Sequence, residues 1–231
     1  MKVIMVNDFA YVNGGASQIA LQTALSLAKK NVDTILFTGM GPVAANLKSQ
    51  EKLSIVCLHQ YDILSDPNRF RAIWQGLWNQ EAARCFADIL RGYETSDTIV
   101  HVHTCQKVLS SSCIHVAKTL GFKVIYHLHD YGAVCPNLGF YDYQRKEICH
   151  RVPMSRECLF SNCDVRKYTH KLWRMARQLM QKTRGGLPGD VDAFLAVSDF
   201  SLDILRPFLP SGIVVKVLPN PLDASQRYMI D

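Results

Sequence analysis

The chain has 231 residues, 48% of them hydrophobic and 20% charged, with a formal net charge of +6. These values exclude an intrinsically disordered chain and allow a sizeable core. The positive surplus is local, since Arg166 to Arg184 holds seven Lys/Arg and no acid; the rest is near neutral, which excludes a general nucleic-acid-binding surface.

Residues 2–6, KVIMV, read as a strand, and turn chemistry follows in NDFAYVNGGA. A helix then opens at Ala16 or Ser17, with Ile19, Ala20, Leu21, Ala24, Leu25, Leu27 and Ala28 at helical spacing. DTILFT and LSIVCL are the second and third strands. Residues 69–92 read as one long helix or two shorter ones carrying Trp74 and Trp78. DTIVHVH is a strand, CQKVLSSSCIHVAKTLG a helix stopped by Gly121, and KVIYHLH the next strand. A long irregular segment, 130–165, precedes a helix over 166–183. AFLAVS, DFSLDILRPFL and IVVKVLPN close the series as strand, helix and strand. Apolar strands alternating with amphipathic helices predict one doubly wound α/β domain with a Rossmann-like parallel sheet covered on both faces.

The N-terminus, MKVIMVNDFAYVNGG, has fewer than the roughly seven consecutive apolar residues of a signal peptide. No uninterrupted apolar run approaches the roughly 20 residues of a membrane span. A reducing, cytoplasmic location is the expectation. Eight cysteines are too few and too scattered for a disulfide scaffold, and Cys57, Cys85, Cys105 and Cys113 sit in apolar or helical surroundings.

Ligands of such folds bind beyond the carboxyl ends of strands. The first of these loops contains Asn13 to Ser17, NGGAS, in which Gly14 and Gly15 either bring the backbone close to a ligand at the helix mouth or simply permit a tight connection. It is not G-x-G-x-x-G, and no G-x-x-x-x-G-K-[ST] occurs, so dinucleotide dehydrogenases and P-loop enzymes are disfavoured. In YHLHDY, His127 and His129 point to one face of a strand and Leu128 to the other. His129 and Asp130 fall where strand gives way to loop, which favours them as ligand-facing. His101 and His103 repeat the spacing one strand earlier and read as core or supporting residues.

Cys135, Cys149, Cys158 and Cys163 all lie in the 130–165 segment, separated by 13, 8 and 4 residues. Four thiolates satisfy a tetrahedral structural zinc, but the spacing is not paired C-x2-C, and His150 beside Cys149 leaves the fourth ligand open. Reduced thiols, or a disulfide under oxidising conditions, are the other readings. The helix over 166–183 carries Leu172, Met175, Ala176, Leu179 and Met180 as an apolar stripe, with Lys167, Lys171, Arg174, Arg177 and Lys182 around the rest. It reads as an amphipathic helix packed on the sheet, with peripheral contact to anionic lipid through these cations and Trp173 as the functional alternative.

NGGA, HVHT, HLHDYGAVCPN, FLAVSDFSLDIL and VVKVLPNPLD occur in that order. The ordered set resembles the N-terminal domain of the family 4 glycosyltransferases, which have the two-domain GT-B architecture. The resemblance implies a retaining, hexosyltransferase-type transfer from a nucleotide-sugar donor to an acceptor hydroxyl on a polysaccharide, another glycan or a lipid-linked molecule, with no catalytic metal. It implies that Gly14, Gly15 and Ala16 lie at the interdomain cleft. His129 is expected at the transferred sugar, with Asp130 as its catalytic neighbour and His127 and Asn220 on the substrate side. Residues 1–218 then form the acceptor-side domain and 219–231 the start of a linker. The family's E-x7-E pair is missing here, so the donor-binding domain is expected to be absent and the chain alone nearly inactive. The competing function is a non-catalytic binding module or partner subunit that pairs with a separate donor-binding domain.

Overall fold

The computed structural model describes residues 1–221. Nine strands and seven α-helices are present among them: β1 Lys2–Phe9, α1 Gly15–Lys29, β2 Asp33–Met40, β3 Leu53–Cys57, α2 Arg69–Leu77, α3 Gln80–Leu90, β4 Thr98–Val102, α4 Ser112–Thr119, β5 Lys123–Leu128, β6 Tyr141–Asp142, β7 Glu147–Ile148, α5 Arg156–Phe160, α6 Tyr168–Thr183, β8 Ala193–Ala196, α7 Asp199–Leu205 and β9 Val214–Val217. Seven strands form one sheet in the order β3-β2-β1-β4-β5-β8-β9, and every pair in it is parallel. The doubly wound Rossmann-like sheet expected from the sequence is present.

The alternation of strand side chains explains the two layers. In β1, Val3 and Met5 join a core with Leu21 and Ala24 of α1. Ile4 and Val6 join the other core, with Phe86 of α3 and Ile114 of α4. A strand buried on both faces tends to be apolar on both, which is why Val3 to Val6 read as a continuous apolar run ahead of the buried polar pair Asn7 and Asp8.

Three local features settle or revise the sequence reading, each with a physical cause. The helix expected from Cys105 begins at Ser112. The Asp8 carboxylate takes the N–H groups of Lys107, Val108 and Leu109 at 2.9, 2.9 and 3.0 Å, and Ser110 has φ +59°, so the chain coils around β1 before it can become helical. The 69–92 region resolves into two helices, with Asn68 and Asn79 each capping a first turn through the side-chain oxygen. The 130–165 segment has its own structure, the β6–β7 hairpin and α5, with Ser155 Oγ capping α5 at Cys158 N–H.

Helix α6 departs from its expected polarity, although Met175 of the expected stripe is buried and Lys167 and Lys182 are exposed. Leu172, Ala176 and Leu179 are exposed, whereas Lys171, Arg177, Gln178 and Gln181 are buried. The face that α6 packs against presents backbone carbonyls of the 132–136 loop, which need donors. Gln178 Nε2 donates to Ala133 O, Gln181 Nε2 to Gly132 O, and Arg177 to Gln106 O and Pro136 O. No described helix is long and apolar enough to cross a membrane.

Candidate functional site

Between β1 and β4 the strand order reverses, and in open α/β sheets that crevice is where ligands bind. Its floor is Asn7, Asp8 and Thr104. Thr104 Oγ1 donates to Asn7 Oδ1 at 2.8 Å and accepts from Asp8 N–H at 3.1 Å. Asp8 is 1% exposed. Burial pushes its carboxyl up, while the Leu109, Lys107 and Val108 N–H groups and the Lys107 ammonium pull it down. Sequence reading took Asn7 and Asp8 only as turn chemistry; their polarity at the end of an apolar strand was the available signal.

Gly14, Gly15 and Ala16 rise from the same sheet edge. Gly14 has φ +88°, a conformation that favours glycine, and a Cβ at Gly14 or Gly15 would meet nothing within 4 Å. Helix α1 begins there with no side-chain cap and no acid in its first turn, so its first-turn N–H groups have no side-chain partner at the cap.

The histidines form a cluster of four. His101–His127 and His127–His129 are stacked, with ring centroids 5.5 and 4.1 Å apart. His101 and His103 centroids are 4.2 Å apart, and His103 Nδ1 lies 2.9 Å from His129 Nε2. Burial, followed by neighbouring histidines, pushes His101 and His129 down to about 3, and burial alone takes His127 to about 4. His103 is lowered as well, chiefly by burial. Lowered in this way, the four imidazoles favour the neutral form at pH 7. Asp130 stands in the turn beyond, its Oδ1 accepting from Gly132 N–H at 2.7 Å. Asn220 is exposed just after β9, and residues 222–231 of the expected linker lie outside the described residues.

Asn13 of the glycine loop, Lys107 after β4 and Leu138 after β5 share the wall of a cavity of about 560 Å³ with α2 and α6. Arg69, Lys107, Arg166, Arg174 and Arg177 line it against a single acid, Asp62. Arg174 pairs with Asp164 at 2.8 Å. Arg177 is 6% exposed, and burial together with Arg174 brings it down to about 10. Ile63, Leu64, Ile73 and Trp173 supply the apolar part. The sequence puts these α6 cations on the solvated face of a helix packed on the sheet, with lipid contact as the alternative; the structure turns Arg174 and Arg177 toward the cavity and leaves Leu172 and Leu179 outside.

The four cysteines expected at zinc are not gathered into a ligand set. Among the described residues, the group of three or more metal-competent side chains whose ligand atoms lie within 4.8 Å of one another is His101, His103 and His127. The Lys171 amine lies 3.0 Å from Cys163 Sγ and 3.4 Å from Cys158 Sγ, so a cation of the chain itself occupies the space between two sulfurs. Burial lowers that amine, but the two sulfurs together outweigh it and hold it up. Cys149 Sγ instead faces Arg151 at 3.6 Å.

No family model matches the sequence, and no curated protein matches it. Solved structures do match. The chain is similar to a UDP-glucosyltransferase from Polygonum tinctorium capable of glucosylating indoxyl (14% identity, TM-score 0.51, covering 96% of this chain and 52% of that one). It is similar to LpCGTa in complex with UDP (14% identity, TM-score 0.54, 99% and 55% covered) and to apo UGT2 of Phytolacca americana (9% identity, TM-score 0.53, 97% and 53% covered). At these identities the likeness is one of fold: the Rossmann-like α/β unit of GT-B glycosyltransferases. The chain spans about half the length of the solved structures it matches.

Proposed function

We propose that this chain is the acceptor-binding unit of a retaining glycosyltransferase, which receives the hydroxyl compound while a second nucleotide-binding unit holds the sugar donor. One observation carries the reading. The open glycine loop after β1 and the histidine end of β5 stand on the same carboxyl edge, two strands apart, around a switch-point crevice that adjoins a cationic cavity. The lining describes the acceptor as a molecule with an anionic group and an apolar body. His129, neutral and with no partner for Nδ1 among the described residues, offers one ring nitrogen to a sugar hydroxyl. Gly14, Gly15 and Ala16 leave room for donor phosphates beside free helical N–H groups. Leu172 and Leu179, exposed on the helix that carries Arg174 and Arg177, mark the face that meets a membrane if the acceptor is lipid-linked.

The test is sugar transfer from a panel of nucleotide sugars to anionic and lipid-linked hydroxyl acceptors, using the protein in its full-length polypeptide. His129→Ala is expected to lower turnover by about tenfold or more while the fold persists, as loss of a positioned hydrogen bond to the transferring group would. Lys107→Ala or Arg166→Ala is expected to raise the acceptor KM with kcat unchanged. Product NMR is expected to show the donor's anomeric configuration kept. An inverted product ends the retaining assignment, and wild-type turnover in His129→Ala removes His129 from the site. Acceptor binding without transfer from any donor leaves a binding module.

A further inference from the structure

Four ring nitrogens at the end of β4 and β5 are buried with nothing to bind. His101 Nε2, His103 Nε2 and both nitrogens of His127 have no hydrogen-bond partner among the described residues, and the three side chains are 8%, 1% and 2% exposed. A buried polar atom left unpaired costs about 1–3 kcal/mol. A cluster of them therefore calls for an occupant that satisfies several at once. We propose that His101, His103 and His127 form a three-histidine site for a divalent first-row transition ion of the zinc type.

The geometry comes from the sheet. His-x-His on one strand places two imidazoles on one face, and the pairing of Val102 with Tyr126 sets His127 beside His103 on the next strand. One ligand nitrogen from each histidine lies within 4.8 Å of the other two. Tetrahedral Zn²⁺ with bonds of ~2.0–2.1 Å holds its nitrogens about 3.4 Å apart. Closure therefore asks the nitrogens to draw together by no more than about 1.4 Å. An all-imidazole donor set selects Zn²⁺, Cu²⁺ or Ni²⁺ over Mg²⁺ and Ca²⁺, which require oxygen ligands.

The fourth histidine supports the other three. An ion on His103 Nε2 obliges His103 Nδ1 to carry the proton, and His129 Nε2 at 2.9 Å is its acceptor. Metal-bound histidines are oriented by a second hydrogen bond of this kind. His129 must then keep its own proton on Nδ1, so the ion sets which hydrogen bond His129 presents to the crevice. The cysteine loop, where the sequence suggested zinc, holds the Lys171 amine against two of its four sulfurs instead.

The site is independent of the sugar-transfer reading, because binding is measured without substrate. Protein stripped with a chelator is titrated with Zn²⁺ by calorimetry and with Co²⁺ by absorption spectroscopy. One equivalent of each is expected, the Co²⁺ spectrum showing d–d bands and no sulfur-to-metal charge-transfer band. His103→Gln and His127→Gln are expected to weaken binding at least about 100-fold, more than the 10–100-fold that loss of an outer hydrogen bond costs. Cys158→Ser with Cys163→Ser is expected to leave it unchanged. No uptake by the wild-type protein, uptake that survives His103→Gln, or a thiolate band each overturns the proposal; the Co²⁺ spectrum of the wild-type protein decides even if the histidine variants do not fold.

Discussion

A carboxylate with almost no solvent and three backbone donors is costly to disturb, and Asp8 is in that position. Asp8→Ala removes the acceptor for the N–H groups of Lys107, Val108 and Leu109, and the expected loss is about 2–4 kcal/mol, read as a lowered urea midpoint with unchanged slope. A loss below about 1 kcal/mol would mean that the loop after β4 holds its shape unaided. The sequence shows Asp8 at the end of a strand but not its partners, which lie about a hundred residues away. The position of His129 just past β5 was legible for the opposite reason: placement at a strand's end is local information. His101 and His103 were visible as a spaced pair, yet their contact with His127 depends on β4 lying next to β5, and strand order is not written in either strand.

At the scale of elements, α6 and the cysteine segment show where periodicity stops being a guide. The stripe Leu172, Ala176, Leu179 has helical spacing and faces out, because the surface beneath α6 is loop backbone rather than apolar sheet. Leu179→Gln is therefore expected to change stability by no more than about 0.5 kcal/mol. Gln181→Leu strands the carbonyl of Gly132, while Ala133 O keeps Gln178 as its donor, and is expected to cost about 1–3 kcal/mol, both read from thermal melts. Equal costs for the two would restore the ordinary amphipathic orientation. The strands of the main sheet gave less difficulty, since burial on both faces makes the central ones continuous apolar runs, whereas the short β6–β7 hairpin carries no such run. In the cysteine segment, spacing could not reveal that a lysine from the following helix turns in between two thiols.

For the whole molecule, pH dependence follows from the histidine cluster. Each folded-state pKa lies below the ordinary 6.5, so between about 6.5 and 4 the unfolded chain binds protons that the folded chain refuses, and stability falls with falling pH. Metal-free protein is expected to lose up to ~1.4 kcal/mol per pH unit for each histidine that stays neutral, measured by urea melts across that range. Asp142 and Asp192, held below 3.8 by hydrogen bonds and by Arg151 and the Lys118–Lys123 pair against the pull of burial, add their loss only beneath that window. Asp8, raised by burial, works in the opposite sense. A flat profile from pH 7 to 5 would show that the cluster opens to water. The staple from Asp8 to Val108 and Leu109 has one more consequence. It ties the first strand to the middle of the chain, so deuterium is expected to reach those two amides only when β1 parts from the loop after β4, an event expected to accompany opening of the entire sheet. The crevice is thus a built-in clock of global opening, and a bound molecule that slows that clock would announce itself at Val108 and Leu109 without touching either.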